Sequence, residues 1–297
     1  MSTQIIRSML SVPGVRERFI ERAREVPADI LNFDLEDSVA EADKAKARAM
    51  VAAAIPDFPA KGRLIYVRIN GLDTPHAELD LEAVVGAWLN GINLPKVDSA
   101  DDIRQLDHYL TYLERVRGIP SGQVTIIPWI ETTEGLARAY EICHASSRLI
   151  GAALGGEDFV TSLGVRRTRE GVELEYPRAQ VAIAARSADL VPIDAPEADF
   201  RDLDNFERDI THARGLGFKG KFCIHPTQVD VANKIFAPSP EELGWAKRVV
   251  DAYEEGERQG HGAVALDGQM IDRPIVLRAQ ELLDWQGQVE EQEAALL

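Results

Sequence analysis

Short apolar runs alternate with amphipathic segments along most of the chain. Each apolar run has the length of a strand, and the segment after it carries apolar residues at helical spacing. The predicted strands cover residues 5–12, 29–35, 63–70, 91–97, 124–130, 149–154, 190–193 and 220–225. Regular alternation of strands and helices with short connections predicts a parallel sheet.

The clearest helix start is at Ser99, a capping residue followed by Asp101 and Asp102. Further helices are predicted over residues 15–26, 43–55, 79–89 and 176–189, and over a segment with apolar residues at Leu203, Phe206 and Ile210. The stretch 155–175 reads as a loop. Eight strand–helix alternations predict closure into a (β/α)8 TIM barrel, an α/β fold.

The segment after residue 237 departs from this alternation. Two prolines around Ser239 introduce a long polar helix, predicted over residues 241–259. A glycine-rich turn, a short strand, a last helix over residues 275–285 and an acidic tail follow. We therefore predict a catalytic barrel domain over residues 1–237 and a C-terminal helical arm or lid over residues 238–297.

The composition and net charge of the chain indicate which kinds of partner it can bind. The chain has 297 residues, of which 45% are hydrophobic, and a formal net charge of -16. A strongly acidic protein lacks the basic face that nucleic-acid binding requires. No apolar run is long enough to span a membrane, and no signal peptide is apparent. With only Cys143 and Cys223, far apart in the chain, we expect free thiols in the cytoplasm.

Polar residues gather where the predicted strands end, the edge that carries the active site in such barrels. They are Asp34, Glu36, Asp37, Arg68, Lys96, Glu131, Glu157, Asp158, Asp194 and His225. Clustered carboxylates repel one another unless a cation is present. Oxygen ligands without a histidine pair favour Mg2+, with Mn2+ as the alternative, over zinc. We predict Glu131 and Asp158 as the metal ligands.

Several of these polar residues keep more than one interpretation. Glu157 either binds the metal directly, or is an acid near a helix start or a group that contacts the ligands from outside. The acids at 34, 36 and 37 reach the metal through water or bind Arg68. Lys96 and His225 either shape the rim or contact substrate.

Arg68 complements the predicted metal pair. Its planar guanidinium suits a carboxylate with two hydrogen bonds. A metal and this arginine together would hold the carboxylate and keto oxygen of a small 2-oxo acid. The metal would also stabilise charge that develops on that oxygen. This combination is suited to making or breaking a carbon–carbon bond beside a carbonyl group.

A series of short motifs carries a family resemblance over nearly the whole chain. They lie at residues 7–14 (RSMLSVPG), 34–37 (DLED), 67–70 (VRIN), 94–97 (LPKV), 130–132 (IET), 155–159 (GGEDF), 224–226 (IHP) and 268–274 (GQMIDRP). In content and order they resemble the citrate lyase β-subunit-like family of the HpcH/HpaI aldolase superfamily, the malyl-CoA/citramalyl-CoA lyase type.

The resemblance implies a TIM barrel that binds Mg2+ through Glu131 and Asp158 and anchors the substrate carboxylate on Arg68. It implies that Asp272 on the arm reaches a neighbouring subunit's site and handles the proton on the acyl-thioester α-carbon. It also implies a homotrimer or homohexamer. The positions it places against the acyl-CoA are Arg18 and the backbone around Ser11, Ile193 and Asp194.

The predicted function is a Mg2+-dependent lyase. It would cleave a 3-hydroxy-3-carboxyacyl-CoA of the citramalyl-CoA or malyl-CoA type into an acyl-CoA and a 2-oxo acid, pyruvate or glyoxylate. Three alternatives stay open: a citryl-carrier-protein lyase, a metal-dependent aldolase acting on free hydroxy acids, and a non-catalytic acyl-CoA-binding barrel.

Overall fold

Eight parallel strands close into a barrel in sequence order, the last pairing with the first. The computed structural model describes residues 5–58 and 62–296. The strands are β1 (Ser8–Pro13), β2 (Ile30–Asp34), β3 (Leu64–Arg68), β4 (Gly91–Leu94), β5 (Thr125–Ile130), β6 (Gly151–Leu154), β7 (Val191–Asp194) and β8 (Gly220–Cys223). The predicted (β/α)8 barrel is confirmed.

Helices follow the strands and surround the barrel. They are α1 (Glu17–Ala23), α2 (Lys44–Ala54), α3 (Ala77–Val84), α4 (Ala100–Arg117), α5 (Thr133–Ala137), α6 (Ala139–Cys143), α7 (Gly156–Leu163), α8 (Glu175–Ser187), α9 (Leu203–Gly215) and α10 (Pro226–Phe236). Ser99 begins α4 in a reciprocal capping box with Asp102, as its sequence predicts.

Alternate residues of the strands point to the barrel axis, where most of the side chains are apolar. They include Met9, Ile30, Tyr66, Ile127, Trp129, Ala153, Val191, Ile193 and Phe222. The rings of Trp129 and Phe222 meet edge to face, with centroids 4.6 Å apart. Both also line the cavity described below, so the top of the core is the floor of the site.

Two helices of the barrel depart from the sequence prediction. The predicted loop at 155–175 is wrong over α7, because Glu157 and Asp158 occupy the first helical turn, where acids are favoured by the helix dipole. The helix ends at Gly164 in a left-handed conformation. The helix α10 was not foreseen either; it begins at Pro226, a favoured first helical residue.

The chain divides into two compact units, Met1–Lys234 and Ile235–Leu297. The division lies close to the boundary predicted after residue 237. The second unit contains α11 (Pro240–Arg258), β9 (Val264–Leu266), β10 (Gln269–Ile271) and α12 (Arg273–Leu296). Its core is formed by Ala246, Val249, Ile271 and Ala279.

The last helix is much longer than the sequence predicts. The expected helix ends at residue 285, whereas α12 runs to Leu296. The glutamates, glutamines and alanines of the presumed acidic tail are good helix formers, and Val289 is buried among them. Among the described residues, no helix has both the length and the apolar character needed to cross a lipid bilayer.

Candidate active site

A cavity of about 350 Å³ opens at the carboxyl ends of the barrel strands. We call it the polar cavity. It brings together four of the residues that the sequence predicts to bind metal or substrate: Ser11, Arg68, Glu131 and Asp158. Its other lining residues are Pro13, Asp34, Asp37, Ser38, Trp129, Gly155, Gly156, Glu157, Pro196, Phe222 and Ile224.

Glu131 stands at the end of β5 and is almost completely buried, with 1% of its surface exposed. Its Oε1 accepts a hydrogen bond from the backbone N–H of Lys96 at 2.7 Å. Burial raises the pKa of the Glu131 carboxyl group, and the nearby Asp158 carboxylate contributes further, to about 8. The position therefore carries negative potential that a cation would relieve.

Gly155 makes room for the Glu131 side chain. A Cβ atom at residue 155 would overlap both Oε2 and Cβ of Glu131. Glycine is therefore required here by a close approach, although its own φ of -96° is open to any residue. Gly155, the first of the two glycines after β6, thus leaves the space that the Glu131 side chain occupies.

Lys96 holds Glu131 from the other side. Its φ of 50° places it in the left-handed region, which is uncommon for a residue with a Cβ atom. In that conformation its N–H donates to Glu131, and its Nζ donates to Glu36 Oε1. The Nζ also lies 3.5 Å from Asp37 Oδ1. Lys96 therefore ties the acids after β2 to the acid after β5.

Asp158 lies in the first turn of α7 and is half-buried. No described residue donates a hydrogen bond to its carboxylate. Across the described chain, no group of three or more His, Cys, Asp and Glu side chains is arranged to hold a metal ion. Two carboxylates nevertheless fit a hard divalent cation such as Mg2+, which commonly takes one or two protein acids and completes its shell with water and substrate.

Glu157, the neighbour of Asp158, also lines the polar cavity. It is exposed, and its Oε1 lies 3.6 Å from Nε of Arg167. Of the interpretations of Glu157, the structure supports an acid near a helix start at the edge of the cavity.

The guanidinium of Arg68 is held by Asp34. Nε and Nη2 donate to the two oxygens of Asp34 at 2.8 and 2.7 Å, while Nη1 lies 3.1 Å from Glu36 Oε2. The guanidinium also lies 5.3 Å from the centre of the Trp129 ring. Burial opposes the charge on Arg68, but Asp34 outweighs it and raises the pKa of Arg68 well above its usual range.

This pairing changes the role expected of Arg68. Asp34 already occupies the edge formed by Nε and Nη2, so a substrate carboxylate would meet Nη1, which it would share with Glu36 Oε2 at 3.1 Å. Burial alone would raise the pKa of Asp34, but Arg68 reverses this and lowers it to about 2. Asp34 is therefore a permanent anion that orients the arginine. This agrees with the interpretation that the acids after β2 bind Arg68.

Two predicted acyl-CoA positions lie away from the cavity. Ile193 and Asp194 are both completely buried. Ile193 points into the barrel core, and Asp194, the next residue on β7, points to the surrounding helices. The side chains of both residues therefore belong to the barrel wall, and the predicted contact of the backbone here with the acyl-CoA stays a prediction.

Asp194 instead belongs to a buried group of four charges. Arg178 Nε and Lys221 Nζ donate to its two oxygens at 2.9 and 2.6 Å. Asp209 receives hydrogen bonds from the same two cations, at 2.7 and 2.6 Å. We call these residues the charge tetrad. A lysine in the middle of an otherwise apolar strand was the one sequence signal of it.

A second cavity, of about 300 Å³, lies beside the polar cavity. We call it the apolar cavity. It is lined by Leu10, Ser11, Val12, Pro13, Phe19, Arg22, Ala23, Val26, Ile224, His225, Pro226 and Thr227. Arg18 is exposed on α1 and does not line it; its guanidinium lies 5.8 Å from the Phe19 ring centre. Arg22, one helical turn further, does line it, and the predicted contact of Arg18 with the acyl-CoA stays a prediction.

His225 combines both of its sequence interpretations. Its ring stacks on Phe200 with centroids 4.8 Å apart. Its Nδ1 accepts the N–H of Thr227 at 3.3 Å, which caps the start of α10. The same residue lines the apolar cavity, so a structural histidine also shapes a surface that a ligand can reach.

Asp272 lies in the second unit, between β10 and α12. Its backbone carbonyl accepts hydrogen bonds from the N–H groups of Ile275 and Val276, both at 3.1 Å. It is half-buried and begins the last helix. Its predicted role at a neighbouring subunit's site stays a prediction.

Two proteins of known function are similar to this chain over most of its length. The citrate lyase subunit beta of Escherichia coli strain K12 is 40% identical over 281 residues, covering 95% of this chain and 93% of that protein. The L-malyl-CoA/beta-methylmalyl-CoA lyase of Cereibacter sphaeroides strain ATCC 17025 is 34% identical and covers 93% of both chains. These relatives support a carbon–carbon lyase, as the sequence predicts.

A solved structure agrees over the same range. The crystal structure of CitE from Mycobacterium tuberculosis in complex with magnesium, acetoacetate and coenzyme A has a TM-score of 0.77 and 32% identity, covering 94% of this chain and 97% of that one. Residues 7–226 match the family described as HpcH/HpaI aldolase/citrate lyase. The chain belongs to the HpcH/HpaI aldolase/citrate lyase family.

Proposed function

We propose that the chain is a Mg2+-dependent lyase that cleaves a 3-hydroxy-3-carboxyacyl-CoA of the citramalyl-CoA or malyl-CoA type. The products would be an acyl-CoA and a 2-oxo acid, pyruvate or glyoxylate. The observation that carries this proposal is the junction of two cavities. One is lined by Arg68 and five carboxylate side chains, among them Glu131 and Asp158, and suits a small oxo acid bound with a cation. The other is mainly apolar and suits the arm of a thioester. A cytoplasmic location fits this substrate class.

The oxo-acid half would lie in the polar cavity. Glu131 and Asp158 would hold Mg2+, or Mn2+ in its place, which supplies a Lewis acid to the oxygen on which charge develops. Arg68 would bind the carboxylate through Nη1, because Asp34 fixes the other edge of its guanidinium. Trp129 and Phe222 form an apolar floor that excludes water below the ligand.

In the cleavage step, both electrons of the broken carbon–carbon bond pass to the acyl-CoA half of the substrate. The substrate hydroxyl group loses its proton to solvent water, the C2–C3 bond breaks, and C3 becomes the carbonyl carbon of the oxo acid, a ketone in pyruvate and an aldehyde in glyoxylate. The bonding electrons pass to the thioester enolate, which takes a proton at C2. We assign this proton to Asp272 of a neighbouring subunit, in a homotrimer or homohexamer.

We expect Gly155→Ala to weaken Mg2+ binding at least about tenfold. The new methyl group displaces the Glu131 carboxylate, and even the outer partners of metal ligands are worth about 10–100-fold in affinity. Calorimetric titration with Mg2+ and oxo acid measures the change. Gly215→Ala, at a helical glycine with open space around it, is the control. Equal Mg2+ affinities in the two variants would contradict the proposal that glycine is needed at position 155 to place the Glu131 carboxylate.

Asp272→Asn should lower turnover by about 10²–10⁴-fold and leave binding of Mg2+ and oxo acid intact. A positioned acid or base contributes this much to a proton transfer. Asp267→Asn is the control, since it lies in the same unit in a left-handed turn position that asparagine accepts.

Subunit mixing tests whether Asp272 acts on a neighbour. Asp272→Asn and Asp158→Asn chains are co-assembled, and lyase activity is measured. A site built from both chains is complete only if the acid comes from the adjacent subunit, so activity should reappear. Persistent inactivity in mixed oligomers would place Asp272 in its own subunit's site or outside the reaction.

A second candidate function is the citryl-carrier-protein lyase step of a citrate lyase complex. The observation in its favour is the higher identity to citrate lyase subunit beta than to the malyl-CoA lyase. In this case the thioester arm belongs to a carrier protein.

A substrate panel separates the candidates. The purified protein is incubated with Mg2+ and malyl-, citramalyl- or methylmalyl-CoA, or with a citryl-carrier protein, and the products are identified by mass spectrometry. Cleavage of a free CoA thioester supports the proposal. Cleavage of the carrier thioester alone supports the second candidate. Turnover of free hydroxy acids indicates an aldolase, and binding without cleavage indicates an acyl-CoA-binding barrel.

A further inference from the structure

Ser11 stands where the two cavities meet. Among the described residues, three line both cavities: Ser11, Pro13 and Ile224. Ser11 is near the end of β1 and shares the inward face of that strand with Met9, two residues earlier. It is half-buried, and no described residue forms a hydrogen bond with its hydroxyl group. We call these three shared residues the collar between the cavities. The side chain of Ser11 is a small part of the collar and forms no hydrogen bond with the described residues.

The reacting bond must cross this collar if the proposed function holds. The oxo-acid carbon, C3, belongs with Arg68, Glu131 and Asp158 in the polar cavity. The thioester leaves through the apolar cavity, whose walls include Val12, Val26 and the ring of Phe19. C2 joins the two halves, so it lies beside Ser11. Any substituent on C2 points into the space that the side chain at position 11 leaves free.

We propose that Ser11 is a specificity-determining residue that sets the size of the substituent allowed on C2. This inference rests on the proposed function. A serine at the collar leaves room for a methyl group, so the chain accepts substrates with a methyl group on C2, which are formed from propionyl-CoA, as well as those formed from acetyl-CoA. Pro13 and Ile224 form the rest of the collar, but Ser11 is the smallest of the three.

The test compares two thioesters that differ by this one methyl group. In the condensation direction, the enzyme receives Mg2+, a 2-oxo acid and either acetyl-CoA or propionyl-CoA. The measured quantity is the ratio of kcat/KM for propionyl-CoA to that for acetyl-CoA. We expect Ser11→Phe to lower this ratio about 10–200-fold, the range that one methylene group is worth in a packed pocket. Ser11→Val should give an intermediate ratio, which keeps the test valid if the phenylalanine variant does not fold.

Val26→Phe is the matched control. It adds the same ring to the apolar cavity away from the collar, so both thioesters are affected alike and the ratio stays unchanged. A general structural disturbance would move both variants in the same way. The proposal is overturned if the ratio is the same in wild type, Ser11→Val and Ser11→Phe, or if Val26→Phe changes it as much.

Binding distinguishes failure of this proposal from failure of the proposed function. Affinities of acetyl-CoA and propionyl-CoA are measured by calorimetry with Mg2+ but without oxo acid, so that no condensation occurs, for the same four proteins. A falling affinity ratio with no turnover in any protein would contradict the lyase function and support the role of Ser11. Turnover in wild type with an unchanged ratio in both Ser11 variants would support the function and refute the role of Ser11.

Discussion

Replacing Asp158 with asparagine, or Glu131 with glutamine, should lower lyase turnover by more than about 100-fold. Outer partners of a metal site are each worth about 10–100-fold, so loss of a direct ligand should exceed this range. Each change is nearly isosteric and removes one negative charge. Turnover and calorimetric Mg2+ binding are measured on the same preparations, and both should fall together.

The same change at Glu131 should stabilise the metal-free protein. The carboxyl group is buried, receives one hydrogen bond from the described residues and faces the Asp158 carboxylate. Glutamine keeps an oxygen for the N–H of Lys96 and removes the like-charge repulsion. We expect a higher melting temperature in EDTA and a smaller rise when Mg2+ is added, since binding to the folded state adds stability by mass action.

Glu157→Gln is the control for both effects. It removes an adjacent acid that is exposed and paired at 3.6 Å with Arg167, so it should change neither quantity strongly. Equal losses of Mg2+ affinity in the Glu157 and Asp158 variants would contradict the assignment of Asp158 as the ligand. A metal-free Glu131→Gln protein that melts below the wild type would contradict the electrostatic argument.

The second large effect is expected at Arg68, where function and stability depend on one side chain. Arg68→Ala leaves Asp34 buried without its cation, and removal of one partner of a buried pair destabilises a protein by about 3–5 kcal/mol. Arg68→Lys keeps a charge but cannot bind Asp34 and a substrate carboxylate through one planar group. We expect the lysine variant to raise KM for the oxo acid about 10–100-fold, the equivalent of a charge-assisted hydrogen bond.

Chemical denaturation and steady-state kinetics measure these changes. Arg104→Lys is the control, because Arg104 forms an exposed pair with Asp101 on α4. Asp34→Asn completes a double-mutant cycle with Arg68→Ala. If Arg68 acts only as a structural partner of Asp34, Asp34→Asn and Arg68→Lys will raise KM equally. A larger effect of Arg68→Lys identifies direct contact with the substrate.

Much of the fold follows from local sequence signals. Strand-length apolar runs and helical spacing predict the eight-fold barrel, and Ser99 with Asp102 predicts the start of α4. The helix that was missed at α7 and the one predicted too short at α12 lack such signals. In α7 the chain enters through Gly155 and Gly156, which favour a loop on local grounds. In α12 the final turns are polar, and Val289 alone shows which face is buried.

The candidate site was predictable as a set of residue types but not as a geometry. Strand ends meet on one side of a closed barrel, so Arg68, Glu131 and Asp158 are brought together by topology. The overlap that fixes Gly155 and the left-handed backbone of Lys96 depend on how neighbouring strands are spaced, which no local pattern reports. Alternation along β7 decides that Ile193 faces the core and Asp194 faces the helices.

The charge tetrad has a consequence for how this sequence can change over evolutionary time. Each of its two cations contacts both acids. A neutral substitution at any one of the four residues therefore leaves an opposite charge without its partner in the barrel wall. An unpaired buried charge is among the largest losses of folding stability that a point mutation can cause. Viable descendants must therefore replace a cation and an acid together. In related chains we expect these four positions, from α8, β7, α9 and β8, to be inherited and lost as coupled pairs.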